Sequence, residues 1–227
     1  MESISLPELV LTQDGSYTLF SRDHGVTYHS RYGAIQESNH VFIASGLLPM
    51  LKITDRIKIL EVGFGTGLNV LLTWLNTKEK TNINIDYHSF DIFPLPENIL
   101  NACTYREILH IPAEVANKIL TSGWDYQIKV DNFFELKKYF KDILSEPLPQ
   151  NFFNIVYFDA FSPESQPELW SNFIFEKIYA AMENGGHLVT YCAKGEVKRT
   201  LKKIGFTLES LPGPPGKREM TRATKIN

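Results

Sequence analysis

The sequence predicts an α/β protein: a central, mostly parallel seven-stranded sheet with helices on both faces, preceded by a small N-terminal extension. Three observations predict it. From Ile57 onward, apolar strand-like runs alternate with segments of helical periodicity. The first run passes through Gly63, Gly65 and Gly67 directly into a helical segment. Asp91, Asp131 and Asp159 close the next three runs, at the rim where open α/β sheets collect their ligands.

In chain order, residues 1–50 form the extension, with Leu9-Val10-Leu11 and Tyr17-Thr18-Leu19-Phe20 read as strands and His40–Leu48 as a helix. Residues 51–227 form the main domain. Its expected strands are IKILEV (57–62), INIDYHSF (83–90), YQIKV (126–130), FFNIVYF (152–158) and HLVTYC (187–192). FTLESL (206–211) and REMTRAT (218–224) flank the proline-stiffened LPGPPGK and are expected to pair as an edge hairpin. Helices are expected over Leu68–Asn76, Asn132–Leu144, Pro167–Met182 and Glu196–Ile204.

Hydrophobic residues make up 43% of the chain and charged residues 22%, the usage of an ordinary globular protein. No run approaches the roughly 18 apolar residues of a membrane span, and Met1-Glu2-Ser3 opens no signal peptide, so a cytoplasmic location is expected. Cys103 and Cys192 lack ligand or disulfide spacing, and no metal site is expected. The net charge of −3 argues against general nucleic-acid coating, yet it is unevenly placed. From Lys194 to Asn227 nine Lys/Arg face three Asp/Glu, +6, leaving −9 for residues 1–193. That basic end either meets phosphates or is a solvated surface.

The segment LEVGFGTGLN (60–69) is the most informative. Its glycines let a ligand lie against main chain, although a strand-to-helix connection of this kind also exists without one. The spacing GxGxG differs from the dinucleotide fingerprint GxGxxG, and Glu61 is poorly placed for a pyrophosphate but suits an ammonium. S-adenosylmethionine carries such a group. Asp91 is placed to accept from both ribose hydroxyls. Asp131 is placed to accept from the adenine amine, with Phe133 or Phe134 over the base, or else to cap the helix expected after it.

In VYFDAFSPESQPELW (156–170), Asp159 stands at the end of the fourth strand, where the transferred group is expected. A carboxylate there accepts a hydrogen bond from an attacking amine and orients its lone pair. At an ordinary aspartate pKa of roughly 3.9 it is a poor base, so the amine is expected to arrive neutral or to lose its proton to water. Phe161 suits stacking on a planar base, Pro163 fixes the loop, and Trp170 reads as packing. The six histidines read as ordinary residues, with a pocket role left open for His29 alone. No hydrolytic triad, nucleophilic Cys with a partner His, or HExxH is present, which leaves direct in-line transfer without metal.

These residues resemble the methyltransferase component of the MnmC family, which completes 5-methylaminomethyl-2-thiouridine at the wobble position of certain tRNAs. The resemblance runs in order through SRDHGVTYHSRYGAIQESNHVFI (21–43), GFGTGLN (63–69), SFDIFPL (89–95), DNFFEL (131–136), FDAFSPESQPELW (158–170) and the closing stretch 185–220 ending in GKREM. It implies a Rossmann-like class I methyltransferase that moves a methyl group from S-adenosylmethionine to the primary amine of 5-aminomethyl-(2-thio)uridine in a tRNA anticodon loop. It further implies Asp159 at the amine, and Glu61, Gly63, Phe64, Gly65, Thr66, Gly67, Asn69, Asp91, Asp131, Asn132 and Asp159 around the cofactor. Tyr28, Glu37, Phe161, Pro163, Lys217 and Arg218 are expected on the substrate side. Asp91 stands where some relatives have Glu, and Ala160 replaces a frequent Gly. No residues are present for the FAD-dependent oxidase domain of bifunctional members, so a separate enzyme is expected to supply the aminomethyl substrate.

Two other readings stay open on the sequence: a small-molecule amine methyl- or aminopropyltransferase of the same fold, and a non-catalytic cofactor-binding module. Activity on free polyamine distinguishes the first, and cofactor binding without methylation the second.

Overall fold

The computed structural model describes residues 5–226; Met1, Glu2 and Ser3, read above for a leader, lie outside the described residues. The N-terminal segment builds a small antiparallel sheet from β1 (Glu8–Leu11), β2 (Tyr17–Ser21) and β3 (Val26–Thr27). There follow α1 (Ala34–Ser38), a π-helical stretch Asn39–Leu47 and α2 (Leu48–Met50). The helix expected over His40–Leu48 is thus longer and more widely wound, with the Leu48 amide reaching back five residues to the Ile43 carbonyl. Val41, Phe42, Ile43 and Leu47 are buried along it, and they join the hydrophobic cluster on one face of the main sheet.

The main sheet contains β4 (Arg56–Val62), β5 (Asn84–Asp91), β6 (Gln127–Lys129), β7 (Phe134–Phe140), β8 (Phe153–Phe158), β9 (Met182–Thr190), β10 (Phe206–Pro212) and β11 (Glu219–Lys225). Their order is β10-β11-β9-β8-β4-β5-β7-β6. The five strands β9, β8, β4, β5 and β7 are parallel, while β6 and the β10/β11 hairpin add antiparallel edges. The central β8, FNIVYF, is buried along its whole length, as a strand covered on both faces must be. In β4 the alternation sends Ile57 and Ile59 to one core cluster and Leu60 and Val62 to the other.

Every expected strand occurs, and an eighth, β7, replaces the helix expected over Asn132–Leu144. That expectation was wrong for a physical reason. FELKKYF alternates inward and outward residues as a strand does, but one inward position holds a lysine. Lys138 is buried because its ammonium reaches the Ile119 and Leu120 carbonyls, both 3.1 Å away, at the C-terminal end of α6 (Ala113–Thr121). It also lies over the rings of Phe64 and Trp124. Burial lowers its pKa to about 8.

The other helices of the main domain are α3 (Leu68–Thr77), α4 (Glu97–Ala102), α5 (Tyr105–Ile108), α7 (Asn172–Ala181) and α8 (Gly195–Ile204). The helix expected over Pro167–Met182 is divided: a 3₁₀ turn at Pro167–Trp170 precedes α7, and Met182 opens β9. No helix among the described residues is long and apolar enough to cross a membrane. Because the chain runs from β4 to β5 on one side and later returns to β8 on the other, the sheet order reverses at the carboxyl end of β4. Such reversals open a crevice.

Candidate active site

A cleft lies at this reversal, with about 940 Å³ of open space including its mouth. Tyr28, Gly63, Phe64, Gly65, Thr66, Asn69, Asp91, Asp159 and Phe161 line it, so the structure brings nine of the expected site residues to one cleft. Gly63 has φ 94°, and a Cβ on it would stand 2.8 Å from the Asp159 backbone oxygen. Only glycine lets the turn pass that close. Gly67 (φ 74°) ends the turn and caps α3.

Asp91, at the end of β5, holds the turn in shape. Its Oδ2 accepts from the Gly65 amide at 2.8 Å and its Oδ1 from the Phe93 amide at 2.8 Å. Burial raises its pKa in spite of these bonds. Across the cleft, the Asn69 amide donates to Asp159 Oδ2 at 2.9 Å. Burial pushes the Asp159 carboxyl up to about 7, and Glu37 adds to the rise; the Asn69 hydrogen bond and Lys217 pull the other way. The expectation of an ordinary, weakly basic aspartate is therefore corrected: desolvation gives Asp159 the proton affinity of a general base near neutrality.

Glu61 is placed differently from the expectation. It shares the inward face of β4 with Ile57 and Ile59, is fully buried, and does not line the cleft. Ser89 on β5, its register partner, donates to Oε2 at 2.5 Å. Burial pushes Glu61 up to about 8, so it is neutral in the folded protein near neutrality. The sign follows: the folded state holds this proton more tightly than the unfolded chain, so the stabilisation is full below the unfolded pKa and is lost as pH rises through about 8. Glu61→Gln is expected to flatten the fall of Tm with rising pH in this range, measured by calorimetric melting across a pH series.

Asp131 and Asn132 lie outside the cleft. Phe134 pairs with Ile85 at the start of β5, which puts the β6–β7 turn at the amino rim of the parallel strands, opposite the cleft. The Asp131 carboxylate accepts from Trp74 Nε1 at 2.7 Å and from the Phe133 amide at 2.8 Å, fastening that turn to α3. The position beyond the third parallel strand belongs instead to Lys141, Asp142, Ile143 and Leu144, all of which line the cleft. His24, His29 and Gln166 line it as well. Of these only His29 was singled out in the sequence, and burial lowers its pKa to about 4.

The remaining expected substrate residues gather beside the cleft. Pro163, Lys217 and Arg218 line a neighbouring groove with Tyr191 and Lys194. Glu37 is 6% exposed; it accepts from Lys217 Nζ at 2.7 Å and from the Ser30 amide at 2.6 Å. Lys217 also sits over the Tyr191 ring at 3.8 Å, and the Tyr191 hydroxyl donates to the Ala160 carbonyl at 2.9 Å. Trp170 packs against Phe158 and Phe175 as expected, and its indole N–H donates to the Phe161 carbonyl at 2.7 Å. The loop after Asp159 is thus held from two sides. In the basic C-terminal stretch, Lys194, Lys198 and Arg222 pair with Glu164, Glu219 and Glu209, and no ion pair engages Arg199 or Arg218 among the described residues.

A family profile described as S-adenosyl-L-methionine-dependent methyltransferase matches residues 110–226, more than half of the chain. The chain belongs to this methyltransferase family. The tRNA 5-methylaminomethyl-2-thiouridine biosynthesis bifunctional protein MnmC of Burkholderia mallei (strain SAVP1) is 32% identical over 227 residues, covering 93% of this chain and 34% of that protein. The protein of the same name from Aromatoleum aromaticum is 33% identical over 223 residues, covering 94% and 34%. The methyltransferase chain therefore spans about a third of the length of these relatives. The crystal structure of MNMC2 from Aquifex aeolicus superposes with a TM-score of 0.79 at 27% identity, over 100% of this chain and 72% of that one.

The cofactor of the methyltransferase family is S-adenosylmethionine, and the cleft fits it. Asn69 Oδ1 is a buried acceptor without a partner among the described residues, on the cleft wall. The turn at Gly63 and Gly65 exposes main chain there, and Asp91 and Asp142 put carboxylates at the rims of β5 and β7. When bound, S-adenosylmethionine supplies an electrophilic methyl carbon.

Proposed function

We propose that this methyltransferase methylates the primary amine of 5-aminomethyl-(2-thio)uridine at the wobble position of tRNA. The observation that carries the proposal is Asp159: a carboxyl at the carboxyl end of β8, oriented by Asn69 and raised to about 7. An amine N–H donates to its free oxygen, which aims the nitrogen lone pair at the methyl carbon. As the N–C bond would form and the methyl–sulfur bond of the donor break, leaving a neutral thioether, the nitrogen would lose a proton, and Asp159 is the base within reach. In this reading Gly63, Phe64, Gly65, Thr66, Asn69 and Asp91 hold the cofactor, with Asp142 in the place expected of Asp131, and Phe161 supports the acceptor ring. The likeness to the MnmC proteins over more than nine-tenths of the chain supports tRNA as the acceptor. A preceding reaction must install the aminomethyl group.

The sign of the pH dependence follows from the raised pKa. Below about 7 Asp159 is protonated and accepts no proton; above it the carboxylate is present. The expected result is a kcat/KM that rises with pH more steeply below about 7 than above it, where only the neutral fraction of the amine still grows, read from initial rates across a pH series. Methyl-labelled cofactor offered with tRNA that ends in the aminomethyl form, and separately with free polyamines, tests the acceptor class. Label in the tRNA alone supports the proposal, and label in the polyamine overturns it.

A further inference from the structure

His24 and Gln166, neither of them an expected site residue, line the same cleft as Asp159 and are tied to one loop. His24 Nδ1 lies 3.2 Å from the Ser165 carbonyl oxygen. A carbonyl only accepts, so Nδ1 carries the hydrogen, and in that tautomer Nε2 is the acceptor. Nε2 makes no hydrogen bond among the described residues. The next residue, Gln166, accepts the Phe161 amide through Oε1 at 3.3 Å. That bond fixes the sense of the side-chain amide, whose NH2 is left as a donor with no partner among the described residues. The His24 ring also packs on Phe161, with centroids 4.5 Å apart, and Tyr28 meets Phe161 edge-on at 5.0 Å.

One wall of the cleft therefore offers an acceptor, a donor and an aromatic surface. An imide edge, C=O beside N–H, is the complement of the first two, and a planar pyrimidine suits the third. Resting on the function proposed above, we propose that His24 Nε2 and the Gln166 amide form a recognition edge for a uracil-type ring, accepting its N3–H and donating to the adjoining carbonyl or thiocarbonyl. A cytosine-type ring has a bare N3, so that contact becomes acceptor facing acceptor, and where the Gln166 amide meets position 4 it faces an amino group, donor against donor. Sites that hydrogen-bond a substrate discriminate strongly because the mismatch leaves buried groups unpaired.

The test uses the full chain with two anticodon-loop RNAs that differ only in carrying 5-aminomethyluridine or 5-aminomethylcytidine at the same position. The wild type is expected to favour the uridine RNA in kcat/KM by about 10²-fold or more. His24→Ala and Gln166→Ala are expected to bring that ratio to within a few-fold of one, while His24→Gln, which keeps an acceptor near Nε2, retains the preference. Cofactor affinity by calorimetry is expected to stay unchanged in all three, which a folding defect would not allow. A wild-type enzyme that methylates both RNAs equally, or alanine variants that keep the wild-type ratio, overturns the recognition edge and leaves the proposed function standing. If the wild type methylates neither RNA, the proposed function falls and this edge falls with it.

Discussion

Asp159→Ala is expected to lower turnover by about 10²–10⁴-fold, the range of a general base and positioning group, while S-adenosylmethionine affinity changes no more than a few-fold. The two effects separate because of where the side chain stands. Its one side-chain partner among the described residues is the Asn69 amide, and burial is the main cause of its raised pKa. Removing it takes away the proton acceptor and the group that aims the nitrogen. The Gly63 turn and Asp91 remain in place, and the loop after Asp159 is still held by Tyr191 and Trp170. Single-turnover rates at saturating cofactor, with calorimetry for binding, measure both quantities. Equal turnover in the variant and the wild type removes Asp159 from the chemistry.

Asp91→Ala is expected to do the reverse. Hydrogen bonds to a charged group contribute about 1.5–3 kcal/mol each, and Asp91 accepts two from main chain, at Gly65 and Phe93. Losing them frees the glycine turn as well as removing the acceptor proposed for the ribose. Cofactor Kd is expected to rise about 10²-fold or more, while turnover at saturating cofactor falls much less. An unchanged Kd by calorimetry contradicts this assignment.

The fold was legible wherever burial and residue type agreed. β8 has no polar residue facing water and reads as a central strand, and the Gly63–Gly67 turn announces its own geometry. The site was legible where acids end parallel strands: Asp91 and Asp159 fall on the rim of one cleft. The error over β7 has one cause, a polar residue satisfied by tertiary partners far away in sequence. Lys138, bonded to carbonyls 18 and 19 residues earlier, hid the alternation of β7 and suggested a helix. The shift in register also misplaces Asp131, which stands at the other rim beside Trp74, while Asp142 lines the cleft. The alternation in FELKKYF was the signal available. Glu61 was misjudged because its period in β4, shared with Ile57 and Ile59, points it into the core rather than the cleft. His24 and Gln166 carried no sequence signal, since their roles depend on a loop that meets the N-terminal extension only in three dimensions.

The most direct measurement is nucleoside mass spectrometry of tRNA bearing the aminomethyl group, after incubation with the purified protein and methyl-deuterated S-adenosylmethionine. The account predicts the labelled methyl on the side-chain nitrogen of the wobble uridine, and none with Asp159→Ala. Label on a ring carbon, a ribose or any other nucleotide contradicts it.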